Sequence, residues 1–97
     1  MGKTATAGNK GKGIRSDCFV TLEITESDGI QIELQSKVGK LFGDSITELT
    51  KKVLEFFEIK NCKIHIEDMG ALDYMLAARI EAVVKKCIDT DKEYLLP

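Results

Sequence analysis

"FGDSITELTKKVLEFFEIKNCKIHIED", residues 42–68, changes its apolar period partway along, and that change decides the fold. In the first part Phe42, Ile46, Leu49, Val53 and Phe56 recur at steps of four, three, four and three. That spacing places them on one stripe of an amphipathic helix. Ser45 and Glu48 fit a capping box, in which two side chains satisfy free backbone N–H groups at a helix start. In the last part Cys62, Ile64 and Ile66 alternate with Lys63, His65 and Glu67, the period of a strand with one apolar face.

Upstream, Cys18, Val20, Leu22 and Ile24 alternate with Phe19, Thr21, Glu23 and Thr25. After "ESDG" (26–29), Ile30, Ile32 and Leu34 alternate with Gln31, Glu33 and Gln35. Gly29 after Asp28 suits a tight turn, so the two runs predict a β-hairpin with one buried face. Downstream, a second helix is expected from about Gly70, with Leu72, Leu76, Ile80, Val83 and Cys87 on its apolar stripe. Asp68 stands near the start of that helix, where the dipole favours a negative charge. The tail "DTDKEYLLP" (89–97) has no usable period. The order is β-β-α-β-α. A right-handed crossover would place the third strand parallel to the second. The expected fold is α+β, a two-layer sandwich with a small mixed three-stranded sheet and both helices on one face. Residues 1–15 have almost no large apolar side chain to offset the entropy of ordering, so they are expected to form a flexible basic arm.

A chain of 97 residues suits one domain, and 43% apolar with 31% charged residues is ordinary for a globular protein. The net charge of −2 combines +4 on residues 1–16 with −6 on the rest. The basic stretch has no aromatic for base stacking and only Lys3, Lys10, Lys12 and Arg15, so no nucleic-acid partner is expected. No apolar run approaches the roughly 20 residues of a membrane span, and no secretory h-region is present. The three cysteines do not suggest a disulfide framework. The expectation is a reduced, cytoplasmic protein without a membrane partner.

Few residues suggest chemistry. Cys62 and His65 are separated by three, which on a strand sends them to opposite faces, so no metal site is expected. "GNKGKG" (8–13) lacks the Lys-Ser/Thr and the preceding strand of a phosphate loop. "MGKTAT" (1–6) fits an N-myristoylation pattern only formally. Glu67 and Asp68 read as helix-start carboxylates, not as an acid–base pair. Ser16 remains, at the seam between the arm and the first expected strand. By chemistry alone it is either a linker residue or an accessible hydroxyl for covalent attachment of a group that needs room to swing.

Residues 43–86 resemble a known family. "FGDSI" and "IEDMGALDYMLAARIEAVV" are similar to the acyl carrier (γ) subunit of citrate lyase. Phe42-Gly43, Glu67-Asp68, Gly70-Ala71-Leu72-Asp73 and Leu76-Ala77-Ala78-Arg79 carry the likeness, with "TATAG" (4–8) and "SDC" (16–18) matching its N-terminal part. The resemblance implies a non-catalytic carrier domain over residues 16–97. Its serine would hold 2'-(5''-phosphoribosyl)-3'-dephospho-coenzyme A through a phosphodiester, with an acetyl or citryl thioester on the thiol. The implied partners are the lyase α and β subunits and a prosthetic-group transferase. The implied attachment residue is Ser16. Gly70, with no Cβ near a helix start, lets a partner approach closely, and Asp73 and Arg79, too polar for the apolar stripe, are expected at its margins, bordering a surface that docks the lyase or transferase subunit. The family's serine usually stands two places before the strand-opening aspartate, where this chain has Arg15; here Ser16 adjoins Asp17. Alternatives on this scaffold are the carrier of a related lyase, such as one acting on citramalate, and an unmodified interaction module.

Overall fold

The computed structural model describes residues 3–36 and 40–94, without the side chains of residues 40–42. In chain order the elements are β1 (Thr4–Gly8), β2 (Asp17–Ile24), β3 (Ile30–Ser36), α1 (Lys40–Phe56), β4 (Cys62–Met69) and α2 (Asp73–Cys87). The first two residues of "MGKTAT" and the side chain of Phe42 lie outside the described residues.

The sheet order is β1-β2-β4-β3, with β4 antiparallel to β2 and parallel to β3. One face is apolar: Val20 lies opposite Ile66 and Leu22 opposite Ile64. All four are buried, with Cys18 and Cys62, under Leu49, Val53 and Leu54 of α1 and Leu76, Ile80, Val83 and Val84 of α2. Each large aliphatic side chain buried here contributes roughly 1.5–3 kcal/mol. The other face carries Glu23, Gln31, Glu33 and Lys63, all exposed. The class is therefore α+β with both helices on one face, as expected, and the third expected strand is parallel to the second.

Two expectations are corrected. The sheet has four strands, not three, because "TATAG" forms β1 and pairs antiparallel with β2 from Thr4↔Glu23 to Gly8↔Phe19. Residues 4–8 thus belong to the folded sheet and not to an arm. β1 escapes an apolar-pattern reading because its inward residues are Ala5 and Ala7, small enough for α2 to pack close over them. At Gly8 (φ +103) a Cβ would lie 1.9 Å from the Cys18 carbonyl oxygen, so only glycine fits. Lys86 Nζ donates to the Thr6 carbonyl at 2.6 Å, covering part of the free edge of β1.

The second correction concerns the hairpin. β2 and β3 do not pair; β4 lies between them. Residues 25–29 arch over the start of β4. Thr25 N donates to the Asn61 carbonyl (3.2 Å), Gly29 N to Asn61 Oδ1 (2.9 Å) and Cys62 N to the Gly29 carbonyl (3.0 Å). The inward residues of β4 gain from the central place, being buried at Cys62, Ile64 and Ile66, whereas Ile30, Ile32 and Leu34 on the edge are half-buried. Gln31, Glu33 and Gln35 give β3 the polar outer side that edge strands favour.

The helices shift in detail. α1 is already helical at Lys40, so Ser45 and Glu48 lie exposed inside it and form no capping box. Phe57 is buried and Phe56 is exposed, because 3.6 residues per turn carries the stripe from Val53 to position 57. α1 ends in a Schellman motif: Ile59 N donates to the Leu54 carbonyl and Glu58 N to the Glu55 carbonyl. Glu58 takes the left-handed position at φ 60. α2 begins at Asp73 with exposed Leu72 as N-cap, so Leu72 is not on the apolar stripe, while Leu76, Ile80, Val83 and Cys87 are. Asp68 belongs to β4. Its Oδ1 accepts from Ala71 N (2.9 Å) and its Oδ2 from Ser36 Oγ (3.0 Å). The tail folds back on α1, with Tyr94 edge-on to Phe56 at 5.4 Å between centroids.

Candidate functional site

The chain enters β2 through a loop, residues 9–16, that is tied at both ends. Asn9 N donates to the Cys18 carbonyl (3.1 Å) and Ser16 N to the Met69 carbonyl (2.8 Å). Within it Ile14 N donates to the Gly11 carbonyl at 3.2 Å. The hub is Asp17, opposite Met69 in the register and bridged to Gly70. Its carboxylate is 11% exposed and accepts four hydrogen bonds. Oδ1 takes Cys18 N (2.7 Å) and Arg79 Nε (3.0 Å); Oδ2 takes Arg79 Nη2 (2.9 Å) and Asn9 Nδ2 (2.9 Å).

Arg79 therefore reaches from α2 to hold the start of β2 in the bidentate geometry that guanidinium and carboxylate share. The hydrogen bonds from Arg79 pull the Asp17 carboxyl from 3.8 to about 2, against the opposing effect of burial, with Asn9 and Cys18 N assisting. The same contact raises the Arg79 pKa.

Ser16 directly precedes this hub. It is exposed and left-handed (φ 57), a conformation that non-glycine residues adopt only where the surroundings impose it. The Met69 carbonyl on its amide and the clamp on Asp17 supply that constraint. Among the described residues its hydroxyl has no hydrogen-bond partner. Gly70 (φ +86) faces it: a Cβ there would meet only Ser16 N at 4.0 Å, so the glycine is required by backbone conformation rather than by space.

The structure thus brings together three residues singled out in the sequence, Ser16, Gly70 and Arg79. Asp73 is apart, exposed in the first turn of α2 between Leu72 (62% exposed) and Tyr74 (61% exposed). Asp17 and Asn9 were missed. The available signal was Arg79 itself, one of only two arginines in the chain, beside an apolar stripe where only a fixed carboxylate would hold it.

No cysteine among the described residues is prepared for nucleophilic chemistry. Burial pushes the thiol of Cys18 up to about 12 and that of Cys62 up to about 11, and also raises Cys87. Thiols so shifted are inert near neutral pH. Among the described residues no three His, Cys, Asp or Glu side chains converge on a cation position. No helix among them is long and apolar enough to cross a membrane. What the site offers is one presented hydroxyl on a braced turn.

Comparison with known proteins defines the class. A family of acyl carrier proteins described as the malonate decarboxylase delta subunit matches residues 2–87. More particularly, the citrate lyase acyl carrier protein of Haemophilus ducreyi is 40% identical over 87 residues, 90% of this chain and 86% of that protein. That of Treponema denticola is 39% identical over 71 residues, 73% and 79% of the two chains. That of Halothermothrix orenii is 36% identical over 84 residues, 87% and 85%. The chain belongs to the citrate lyase acyl carrier protein family, and it is a carrier rather than a catalyst.

Proposed function

We propose that Ser16 Oγ is the attachment point for a phosphoribosyl-dephospho-coenzyme A group, and that the chain serves as the acyl carrier of a citrate lyase complex. The observation that carries this reading is the presentation of Ser16. It is the exposed hydroxyl of a left-handed residue, held between the Met69 carbonyl and the Asp17–Arg79 pair, with no partner among the described residues. When attached, the group supplies a thiol that holds an acyl unit as a thioester. The chain's own residues then do two things. Asp17, Arg79 and Asn9 fix the turn that displays the hydroxyl, and β1 and β4 anchor that turn from both sides. Such anchoring places the carried unit at high effective concentration near a docked partner.

Docking on the α and β subunits is assigned to the surface around Gly70 and Asp73. Exposed Leu72 and Tyr74 flank Asp73, and Gly70 adjoins Ser16, so a partner seated there sits beside the attachment point. Arg79 contributes through Asp17, since its guanidinium is already engaged.

The test is co-expression with the prosthetic-group transferase, followed by intact-mass and peptide mass spectrometry. A mass gain that disappears in Ser16→Ala is the expected result. No gain, or a gain that survives Ser16→Ala and maps to Thr4 or Thr6, overturns it. The experiment also resolves the meaning of Arg15, which stands where the family pattern places its serine.

A further inference from the structure

Beside Ser16 an open groove of about 900 Å³ runs between the 9–16 loop and the C-terminal ends of β3 and β4. Volumes of roughly 300–1,000 Å³ hold small-molecule ligands. One wall is Gly11 to Arg15; the floor and far wall include Leu34, Ser36, Asp68, Met69 and Gly70.

The charges are unevenly committed. Of the two carboxylates in the lining, Glu67 is paired with Lys10 at 3.3 Å. Asp68 has both oxygens engaged, by Ala71 N and Ser36 Oγ. Lys12 and Arg15 have no ion-pair partner among the described residues, and both are exposed. Gly11 and Gly13, with φ of +118 and +91, have nothing within 4 Å of a would-be Cβ, so a ligand can approach the loop backbone closely. Leu34, Ile14 and Met69 supply apolar surface between these polar ends.

We infer that this groove is a berth for the phosphate-bearing, nucleotide-like part of the group carried on Ser16, with Lys12 and Arg15 facing its phosphates. The inference rests on the attachment reading for its occupant. The occupant is argued from charge complementarity and position: the groove is cationic where it is uncommitted, and it opens at the residues that flank Ser16. Lodging the anionic portion there restrains the carried group between visits to a partner, and release requires breaking only solvent-screened contacts.

The probe is free dephospho-coenzyme A, titrated into the unmodified full-length chain and followed by ¹⁵N amide shifts. Expected are saturable shifts confined to residues 11–16, Ser36, Met69 and Gly70. Affinity in the range of about 1 mM is expected for screened contacts of this kind, weakening as salt rises. The double variant Lys12→Ala/Arg15→Ala, altering exposed loop side chains only, should weaken binding about fivefold or more. Pantetheine, which lacks the phosphates, should bind more weakly than the probe.

Absence of shifts, shifts centred elsewhere, an unaffected double variant, or equal binding of pantetheine would each overturn the inference. The readout does not depend on modification. A Ser16 that loads normally beside a groove that ignores the probe defeats this inference alone, whereas a groove that binds the probe beside a Ser16 that never loads defeats the attachment reading and, with it, the occupant named here.

Discussion

Arg79→Ala is the sharpest perturbation available. It removes two charge-assisted hydrogen bonds, 3.0 and 2.9 Å, from a carboxylate that is 11% exposed. Asp17 is left with Cys18 N and Asn9 alone. Removing one partner of a fully buried pair costs about 3–5 kcal/mol. Because the Arg79 side chain is 30% exposed, water replaces part of the lost contact, and the expected cost falls to about 2–3 kcal/mol. For a domain of this size that lowers Tm by about 10–20 °C. Urea unfolding should show a lower midpoint with an unchanged slope. Arg79→Lys should restore only part of the loss, since an ammonium cannot make the bidentate contact.

The pH dependence adds a second check. Folding depresses the Asp17 pKa from 3.8 to about 2, so its contribution is fully present above the unfolded value and lost as pH falls through the folded one. The gap between wild type and Arg79→Ala should therefore be constant near neutrality, shrink below about pH 4 and be largely gone near pH 2. A loss under about 1 kcal/mol at pH 7, or a gap undiminished at pH 2.5, would refute the clamp as described.

Gly8→Ala should destabilise by about 2 kcal/mol or more, combining a positive-φ penalty with a Cβ 1.9 Å from the Cys18 carbonyl oxygen. Hydrogen exchange should show protection lost across Thr4–Gly8 while β4 keeps its own; retained protection in β1 would count against the packing described. Glu58→Gly should stabilise by about 1 kcal/mol, since glycine suits the left-handed end of α1 and the Lys92–Glu58 contact it removes is exposed. A lower Tm for that variant would mean that the side chain matters more than the backbone strain.

How much of this was legible depends on how local each signal was. Alternation placed Val20, Leu22, Ile64 and Ile66 on one face correctly, because period two is a property of the strand itself. Which strand pairs with which is not local. "ESDG" between two alternating runs reads as a hairpin, and only the clasp of Asn61, more than thirty residues later, makes it an arch. β1 left no apolar trace because backbone pairing with β2, rather than large side chains, defines it. At the site, Ser16 was visible as a boundary hydroxyl and Arg79 as part of the "LAAR" stretch (76–79) that carries the family resemblance. Their connection runs through Asp17, 62 positions from Arg79, and no spacing rule reaches that far.

The anchoring of residues 4–8 in the sheet changes what sort of mount Ser16 is. With strand on either side and the Ser16 amide bonded to Met69, the backbone there is a pivot fixed to the domain, not the end of a swinging rope. With Ser16 loaded as proposed, any reach toward a partner's active centre would come from the length of the attached group itself. Every centre served has to lie within one such radius of a single point on the surface. The spatial arrangement of the partner subunits, and not slack in this chain, would set which reactions the carrier can join.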